Sequence, residues 1–446
     1  MGLSLLAFIL VLGVLIILHE AGHFLAARAV GAPVEVFSVG FGRRLWGFEW
    51  KGTDYRVSLI PFGGYVRVVG LGPDESDVVS DAGAEEPVLL PRWKRALILL
   101  AGPTANILAA VAFIAVAYMM GVEVPRYRTQ PPIVGWVEPE SPAAEAGVVA
   151  GDRVVRLDGA DIHSWRQLEL EMAMMRTGGR VVDVQVERDG RLLDLDMTPT
   201  SFSRYNFGYS GILPPIEPEV VRLMPGGRAQ RAGIEPGDRI VAVDGEPVAQ
   251  FYDLIRLLAP RAEQDVELLV ERNGTTRTVD IVPEDIGGEG KIGIALEFPS
   301  ELQRLPFGAA VGAATEESVR MTRETFRVLG KLLSFKASIR QVSGPIDIAR
   351  ISGEAAKSGL RPLIQLMGLI SLQLGIFNLL PIPILDGGHL TILAFESAIR
   401  RDLSIKLKER ILEVGFVLLI LLMVVVLFND IAKVLPDSVH DMIFRG

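Results

Sequence analysis

The residue types best suited to chemistry lie close together near the start of the chain, between Leu15 and Leu25. His19 and His23 are four residues apart, so on a helix they share one face and can bind one metal ion through two imidazoles. Glu20, beside the first histidine, can reach a metal-bound water as general base. The pattern H-E-x-x-H therefore predicts a zinc site. Such a short pattern also occurs by chance, and the alternative is two helix histidines bonded to polar neighbours.

The helix that must carry these residues is apolar enough to cross a membrane. From Leu3 to Val30 the chain is almost wholly apolar apart from the cluster and Arg28, and about 20 such residues span a bilayer's hydrocarbon core. Ionisable groups at membrane depth are costly and persist mainly where they are paired or functional. No Lys or Arg precedes the run, which is also too long for a secretory signal, so we expect it to be retained.

The composition narrows the class of protein and the kind of site. The chain has 446 residues and a mean hydropathy of +0.35, which is high for a soluble protein, so part of it must lie in a membrane. Its net charge of −9 argues against nucleic acid as a partner. It has no cysteine, so any zinc site must use His, Asp or Glu.

Four apolar spans predict a multi-pass α-helical membrane protein. Arg92, Lys94 and Arg95 precede the second span, and five Lys or Arg residues lie between the third and the fourth. By the positive-inside rule these connections are cytoplasmic, which places both termini and the large middle segment outside. The predicted transmembrane helices are residues 1–31, 95–122, 363–395 and 411–430, with a basic cytoplasmic loop at 396–410.

Residues 32–94, between the first two spans, contain two stretches typical of β-strands. Val34–Gly42 and Tyr55–Val68 alternate in polarity and are rich in β-branched and aromatic residues, with glycines where strands turn or backbones approach closely. We expect a small membrane-associated β-sheet at the inner face, whose tip forms a re-entrant loop. The acidic segment that follows, residues 72–87, predicts a solvated loop.

This sheet has an edge that could do more than support the fold. An open edge near Gly63, Gly64 and Tyr65 could bind an extended segment of another protein as an added strand. The alternative is an ordinary structural hairpin, and the periodicity of the residues does not choose between the two.

Asn106 is a polar residue inside the second span, in the run Ala101–Asn106. Small residues and a proline are tolerated within a span when neighbouring helices pack closely and satisfy the backbone. For Asn106, an interhelical hydrogen bond is a simpler interpretation than a catalytic role.

The middle of the chain contains an internal repeat. Residues 141–159 and 227–245 share the pattern A-G-[VI]-x-x-G-D-R-[VI]-V-x-[LV]-D-G, and both copies end in Glu-Arg-x-Gly. The repeat resembles a tandem pair of PDZ domains of the bacterial protease-associated kind, at 126–214 and 215–298. Such domains bind extended peptides or carboxyl termini by strand addition, whereas a steric gate against bulky proteins would need no peptide. His163 is interpreted as an ordinary surface histidine.

The region that follows the repeats, residues 299–362, is predicted to be amphipathic and juxtamembrane. Apolar residues recur at helical spacing from Phe307 to Leu333, with charges among them. A helix on the outer membrane face fits this pattern, and so does a helix packed against the PDZ pair. The turn Val342–Ile346 ends the helical pattern before the third span.

The third span carries a second group of reactive and helix-breaking residues. Pro381 and Pro383 remove backbone donors and force a kink or unwound turn, which is tolerated at membrane depth only when buried in protein or lining a watery cavity. A catalytic zinc takes three protein ligands, so His19 and His23 leave one position open. Asp386 can fill it. His389, three residues later, is a rival, and chemistry alone does not choose between them.

Three motifs resemble those of the site-2 protease family of intramembrane zinc metalloproteases: His19–His23, Ser343–Ile346 and Asn378–Gly387. The resemblance covers essentially the whole chain. It implies Zn²⁺ held by His19, His23 and Asp386, without a ligand role for His389, and Glu20 as the base. It also implies that Asn378 handles substrate, together with the prolines of its motif, Pro381 and Pro383.

The same resemblance implies a substrate and a location. The substrate would be a single-pass membrane protein, such as an anti-sigma factor already trimmed outside by another protease, or a signal-peptide remnant. Cleavage would occur within its transmembrane segment, whose helix must first unwind because helical hydrogen bonds hide its carbonyls. The location would be the bacterial inner membrane, with both termini and the PDZ domains periplasmic. The PDZ domains would gate substrate access by size. They could also bind peptide ligands or protein partners, although gating by size would not require such binding.

Two other classes of protein stay open. A zinc transporter would need a polar path across the bilayer, and the spans here show one polar cluster only. A catalytically silent membrane PDZ scaffold or chaperone would have no need of Glu20.

Overall fold

The computed structural model describes residues 2–434 except 72–88, 176–178, 203–206, 296–297, 335–336 and 338–341. The acidic loop predicted at 72–87 lies outside the described residues. The chain forms two compact units. The first comprises Met1–Gly121, Arg304–Lys331 and Val342–Gly446, and the second comprises Val122–Gln303 and Leu332–Gln341.

Helices dominate the first unit, and the second contains only short ones. The α-helices are α1 Gly2–Ala29, α2 Arg92–Met120, α3 Pro142–Glu145, α4 Trp165–Ala173, α5 Arg228–Arg231, α6 Phe251–Leu258, α7 Phe307–Leu333, α8 Pro345–Ser358, α9 Leu360–Asn378, α10 Asp386–Ile399 and α11 Ile405–Val434.

Two long strands belong to the first unit and the remaining strands to the second. The strands are β1 Val34–Trp50, β2 Thr53–Val68, β3 Val122–Pro125, β4 Trp136–Val137, β5 Arg153–Leu157, β6 Ala160–Asp161, β7 Val182–Arg188, β8 Arg191–Met197, β9 Thr200–Phe202, β10 Phe207–Tyr209, β11 Ile212–Leu213, β12 Arg239–Val243, β13 Glu246–Pro247, β14 Val266–Arg272, β15 Thr275–Ile281, β16 Glu284–Ile286, β17 Glu289–Lys291 and β18 Ser300–Gln303.

Among the described residues of the first unit, four helices are long and apolar enough to cross a membrane, which confirms the four apolar helices predicted from the sequence. They are Gly2–Ala29, Arg92–Met120, Leu360–Asn378 and Ile405–Lys433.

The third predicted span, 363–395, is not a single helix. It begins as α9, which ends at Asn378, and continues as α10, which begins at Asp386. Pro381 and Pro383 lie in the connection between them, where the missing amide donors prevent a continuous helix. The predicted break in this span is therefore present.

Small residues let α2 pack closely on α1 and α9. A Cβ atom on Gly22 of α1 would lie 2.8 Å from the Cβ of Ala105, and a Cβ on Gly375 of α9 would lie 2.9 Å from the carbonyl oxygen of Pro103. Neither glycine therefore has room for a side chain. Close contacts of this kind, at small residues, are typical of helices that associate within membranes. Thus α1, α2 and α9 form the scaffold of the candidate site.

Strands β1 and β2 form a sheet that is longer than the stretches that predicted it. Both strands bend, so that Val39 in the first half of β1 pairs with Gly64 on one side and with Val57 on the other. The second half of β1 pairs with residues 53–58 of β2. Consequently residues 63–68 of β2 form one edge of the sheet, and no other strand in the described part of the chain pairs with that edge.

The predicted internal repeat is visible in the second unit as two four-stranded sheets with the same topology. Their strand orders are β6-β5-β7-β8 and β13-β12-β14-β15. Each sheet covers its own cluster of buried apolar side chains, which includes Trp165 in the first copy and Phe251 in the second. The copies fold alike because the apolar positions of the repeated sequence recur at the same places.

Helix α7 has the predicted amphipathic character, but its packing was not predicted. Its small residues Ala310 and Ala314 contact Ile114 of α2, and the side chains of Thr325 and Gln373 of α9 are joined by a hydrogen bond of 2.9 Å. Thus α7 lies along α2 and α9. Helical periodicity indicates which face of a helix is buried, but it does not identify the elements that cover that face.

Candidate metal centre

The two histidines of the H-E-x-x-H pattern lie in the carboxyl-terminal half of α1 and are almost fully buried. His19 is 9% exposed and His23 is 8% exposed. Their four-residue spacing places the rings edge to face, with centroids 4.8 Å apart and Nε2 atoms 3.2 Å apart. The helix therefore presents two imidazole nitrogens at one point.

Asp386, the first residue of α10, completes this cluster. Its Oδ2 lies 3.2 Å from Nε2 of His19 and 3.5 Å from Nε2 of His23. A carboxylate at a helix N-terminus is stabilised by the helix dipole. The cluster of potential metal-ligating residues found in the described part of the chain contains His19, His23 and Asp386, and it does not contain His389.

The connection before α10 folds tightly to bring Asp386 to this position. A Cβ atom on Gly388 would lie 2.8 Å from the Cα of Pro383, and a Cβ on Gly387 would meet the backbone of Leu379 even more closely. Ile384 has a φ of +82°, which a β-branched residue rarely adopts. Strain of this kind persists where the surrounding structure holds it and is common at functional sites.

The three atoms fit a tetrahedral zinc ion. At metal–ligand distances of about 2.0–2.1 Å, two ligands of such an ion lie about 3.4 Å apart. The separations here are 3.2, 3.2 and 3.5 Å. Oδ2 of Asp386 is buried without a conventional hydrogen bond in the described part of the chain. Lone pairs that face one another in a buried site need a cation or shared protons between them.

Helix α2 forms the wall behind the two rings. Nδ1 of His23 lies 2.8 Å from the carbonyl oxygen of Ile98, to which it donates. Gly102 lies against both rings, because a Cβ atom there would come within 2.8 Å of Cε1 of His19 and closer still to the ring of His23. The absence of a side chain at Gly102 is thus what admits the two histidines.

Asn106 makes the interhelical hydrogen bond that the sequence predicted, and its partner is His19. Its Nδ2 lies 3.1 Å from Nδ1 of that ring, and the side chain is fully buried. Sequence reasoning missed this link to the cluster. The signal that could have found it is the four-residue spacing of Gly102 and Asn106, which places both on one face of α2.

The free edge of the β1–β2 sheet passes beside Glu20. A Cβ atom on Gly64 would lie 3.1 Å from Cγ of Glu20 and 3.2 Å from Cγ2 of Ile16. The next residue, Tyr65, stacks on Phe41 with a centroid distance of 6.1 Å. The H-E-x-x-H pattern and the sheet edge at Gly64, which the sequence analysis considered separately, are therefore neighbours.

The remaining candidate residues are not part of this cluster. Asn378 is the last residue of α9 and is partly exposed. Pro381 and Pro383 follow in the connection to α10. Pro383 packs against α11, because a Cβ atom on Gly415 would lie 3.0 Å from Cγ of Pro383. His163 is exposed in the second unit, as predicted.

A family model and several individual proteins are similar to this chain. A family model described as Peptidase family M50 matches residues 7–422. The regulator of sigma-E protease RseP of Escherichia coli is 34% identical, with 96% of this chain and 98% of that protein covered. A putative zinc metalloprotease of Neisseria meningitidis is 33% identical, with 97% and 99% covered. A solved PDZ domain of an SdrC-like protein from Listeria monocytogenes is 20% identical, covers 21% of this chain and 93% of that chain, and gives a TM-score of 0.17.

Proposed function

The chain belongs to peptidase family M50 and is a zinc metalloprotease, and from this premise we propose that it hydrolyses a peptide bond within the transmembrane segment of single-pass membrane proteins. The observation that carries the proposal is the cluster formed by His19 and His23 of the apolar helix α1 with Asp386 at the start of α10. Family membership and the names of the relatives support regulated intramembrane proteolysis in general. We propose in addition the metal ligands, the general base, the substrate-binding residues and the size filter.

The chemistry follows from the donor set. We assign His19, His23 and Asp386 as the ligands of Zn²⁺, which when bound supplies Lewis-acid polarisation of the scissile carbonyl and activation of water. The carboxylate of Glu20 takes the proton from the attacking water and delivers it to the leaving amine. Burial of the histidines strengthens each of these electrostatic interactions, because water screens them less there.

The substrate must be extended at the site, because an intact helix hides its carbonyls. The free edge of β2 at Gly63, Gly64 and Tyr65 supports binding by strand addition, since it runs beside Glu20. We assign Asn378, with the turn that Pro381 and Pro383 create, to binding the backbone groups that unwinding frees.

The second unit would control which substrates reach the site. Its two similar sheets support a tandem pair of PDZ domains, at 126–214 and 215–298, that excludes membrane proteins with large outer domains. The substrate is then a trimmed protein of the anti-sigma-factor type, a suggestion that comes from the relatives named for sigma-E regulation. From the basic connections we infer that both termini and this unit lie on the periplasmic side of a bacterial inner membrane.

The test is cleavage of a trimmed single-span substrate by the full-length chain in liposomes. Glu20→Gln should keep bound zinc and lose cleavage by at least about a thousandfold, since the base is removed while the ligands remain. Glu316→Gln, at an exposed position of α7, is the matched control and should cleave normally.

Two results would contradict the proposal. Cleavage by Glu20→Gln at the wild-type rate would remove Glu20 as the base. A wild-type chain that binds zinc but cuts no membrane substrate would favour a silent scaffold or a transporter instead.

A further inference from the structure

Three residues of α2 face the histidine pair at four-residue intervals. Ile98 offers a carbonyl oxygen to His23, Gly102 lies against both rings, and Asn106 contacts His19. A four-residue spacing keeps side chains on one helix face. Helix α2 contributes none of the three proposed ligands, yet it contacts both of the proposed histidine ligands from behind.

The contact with His23 fixes the proton position on that ring. A carbonyl oxygen can only accept, so Nδ1 of His23 must carry the hydrogen that bonds to Ile98 at 2.8 Å. A neutral imidazole has one N–H, which leaves the lone pair of Nε2 directed at the cluster. This is the tautomer that metal binding through Nε2 requires.

The contact with His19 is different because a side-chain amide can donate or accept. The amide nitrogen and oxygen of asparagine have nearly the same shape, so either can face the ring. In the present orientation Nδ2 of Asn106 faces Nδ1 of His19 at 3.1 Å. Its Oδ1 is buried and has no hydrogen-bond partner in the described part of the chain. The amide oxygen therefore loses no hydrogen bond if the amide group rotates by half a turn.

Metal binding decides between the two orientations. If Nε2 of His19 binds zinc, the single proton of the neutral ring must sit on Nδ1. An NH₂ group that faced this N–H would set donor against donor. Only Oδ1 of Asn106 can then accept the hydrogen bond, which gives His19 the same arrangement that Ile98 gives His23.

We propose that Asn106 is a positioning residue for the metal centre, whose Oδ1 accepts the Nδ1–H of His19 and holds Nε2 toward His23 and Asp386. The inference rests on the proposed function, because it takes zinc to be bound by these three residues. Oγ of buried Ser371 donates to the backbone carbonyl oxygen of Asn106 at 2.8 Å, a hydrogen bond that does not involve the side-chain amide.

The test measures zinc affinity of the full-length protein in detergent by competition with a chromogenic chelator. Asn106→Leu keeps the size of the side chain but removes the acceptor, and it should lower zinc affinity about 10- to 100-fold. Asn106→Asp keeps an acceptor and should retain zinc binding. Ser371→Ala removes a buried hydrogen bond at the same residue without touching the amide, and it should bind zinc as the wild type does.

Zinc affinity in Asn106→Leu equal to that of the wild type overturns the inference, as does an equal loss in Ser371→Ala. A His19→Ala arm separates this failure from that of the proposed function. If His19→Ala binds zinc as tightly as the wild type, the ligand assignment itself is wrong and the inference falls with it.

A measurement on the wild type covers the case in which Asn106→Leu does not fold. In ¹⁵N-histidine spectra of the zinc-loaded protein in lipid, His19 should be protonated at Nδ1. A His19 ring that binds the metal through Nδ1, or that carries no proton on Nδ1, overturns the inference without any variant.

Discussion

Asp238 in the second unit and Asp386 in the first unit have opposite surroundings. In the second unit Asp238 is 1% exposed and accepts hydrogen bonds from Arg272 at 2.6 and 2.7 Å and from the backbone N–H of Glu235 at 2.9 Å. The first copy of the repeat has the same arrangement, in which Arg188 and the backbone N–H of Val149 donate to Asp152. Both oxygens of each carboxylate therefore accept hydrogen bonds.

Asp386 in the first unit has no such set of donors. Its Oδ2 faces the Nε2 atoms of His19 and His23. Ring nitrogens directed at a carboxylate oxygen can each offer a lone pair, and no arginine or lysine of the described chain forms an ion pair with this group. A buried carboxylate with its donors complete stabilises a fold, whereas one surrounded by lone pairs is suited to bind a cation. The comparison predicts that the two kinds of aspartate fail in different ways.

The largest expected effect is at Asp386. Asp386→Asn removes the charge and weakens one of the three ligands, so zinc binding and cleavage should both fall, cleavage by at least about a thousandfold. The unfolding temperature of the zinc-free protein should change less than it does in Asp238→Ala, because no ion pair with an arginine or lysine is lost. Zinc content, cleavage rate and thermal unfolding check this together. An Asp386→Asn protein that retains full zinc and activity would show that the aspartates do not differ in this way.

Asp238 should behave in the reverse manner. Asp238→Ala leaves Arg272 without its main partner and should destabilise the second copy by about 3 kcal/mol. Bound zinc and cleavage of a trimmed substrate should be unchanged. Hydrogen exchange of β12 and β14 measures the stability of this copy. Asp280→Ala, at an exposed position of β15, is the control, and equal losses in the two variants would contradict a special role for the buried pair.

Removal of the second unit's repeats tests whether the two units divide selection from catalysis. Deletion of residues 129–298 should allow cleavage of a substrate that retains its outer domain, with a gain of at least about tenfold over the full-length chain, because the proposed size filter is gone. Cleavage of a trimmed substrate by the same variant is the control for an intact site. Continued dependence on prior trimming would count against the gate.

The smallest expected effect is the pH dependence of the second unit. Burial would raise the pKa of Asp238, but the hydrogen bonds from Arg272 and from the backbone N–H of Glu235 outweigh it, so the pKa lies below its usual value. A group with a depressed folded-state pKa stabilises the fold above its unfolded-state pKa, about 3.9, and this contribution is lost as the pH falls further.

The protection of β14 from hydrogen exchange, after correction for the intrinsic exchange rate at each pH, should therefore fall below about pH 4 in the wild type. In Asp238→Asn, which has no carboxylate to protonate, the dependence should be flatter. An identical pH profile in both proteins would show that this carboxylate is not the titrating group.

The features that could be predicted were those formed by residues near one another in the sequence. His19, Glu20 and His23 share one turn of α1, and the apolar spans and the repeat follow from local periodicity. The role of Asn106 was not predicted beyond an interhelical bond, because its partner lies on another helix. The packing of α7 was missed for the same reason, since small residues such as Ala310 fit against many surfaces.

The sequence by itself determined the reactive residue types, their helical spacing, the four apolar helices and the duplicated middle. Each of these is a local pattern, set by 3.6-residue helical periodicity or by direct repetition. Only the tertiary structure decided that Gly64 lies beside Glu20 and that Asn106 contacts His19, and it showed how Asp386, which the motif resemblance implied, meets the histidines. These contacts join distant segments of the chain, and they depend on how closely glycines such as Gly22, Gly102 and Gly388 let the backbones approach.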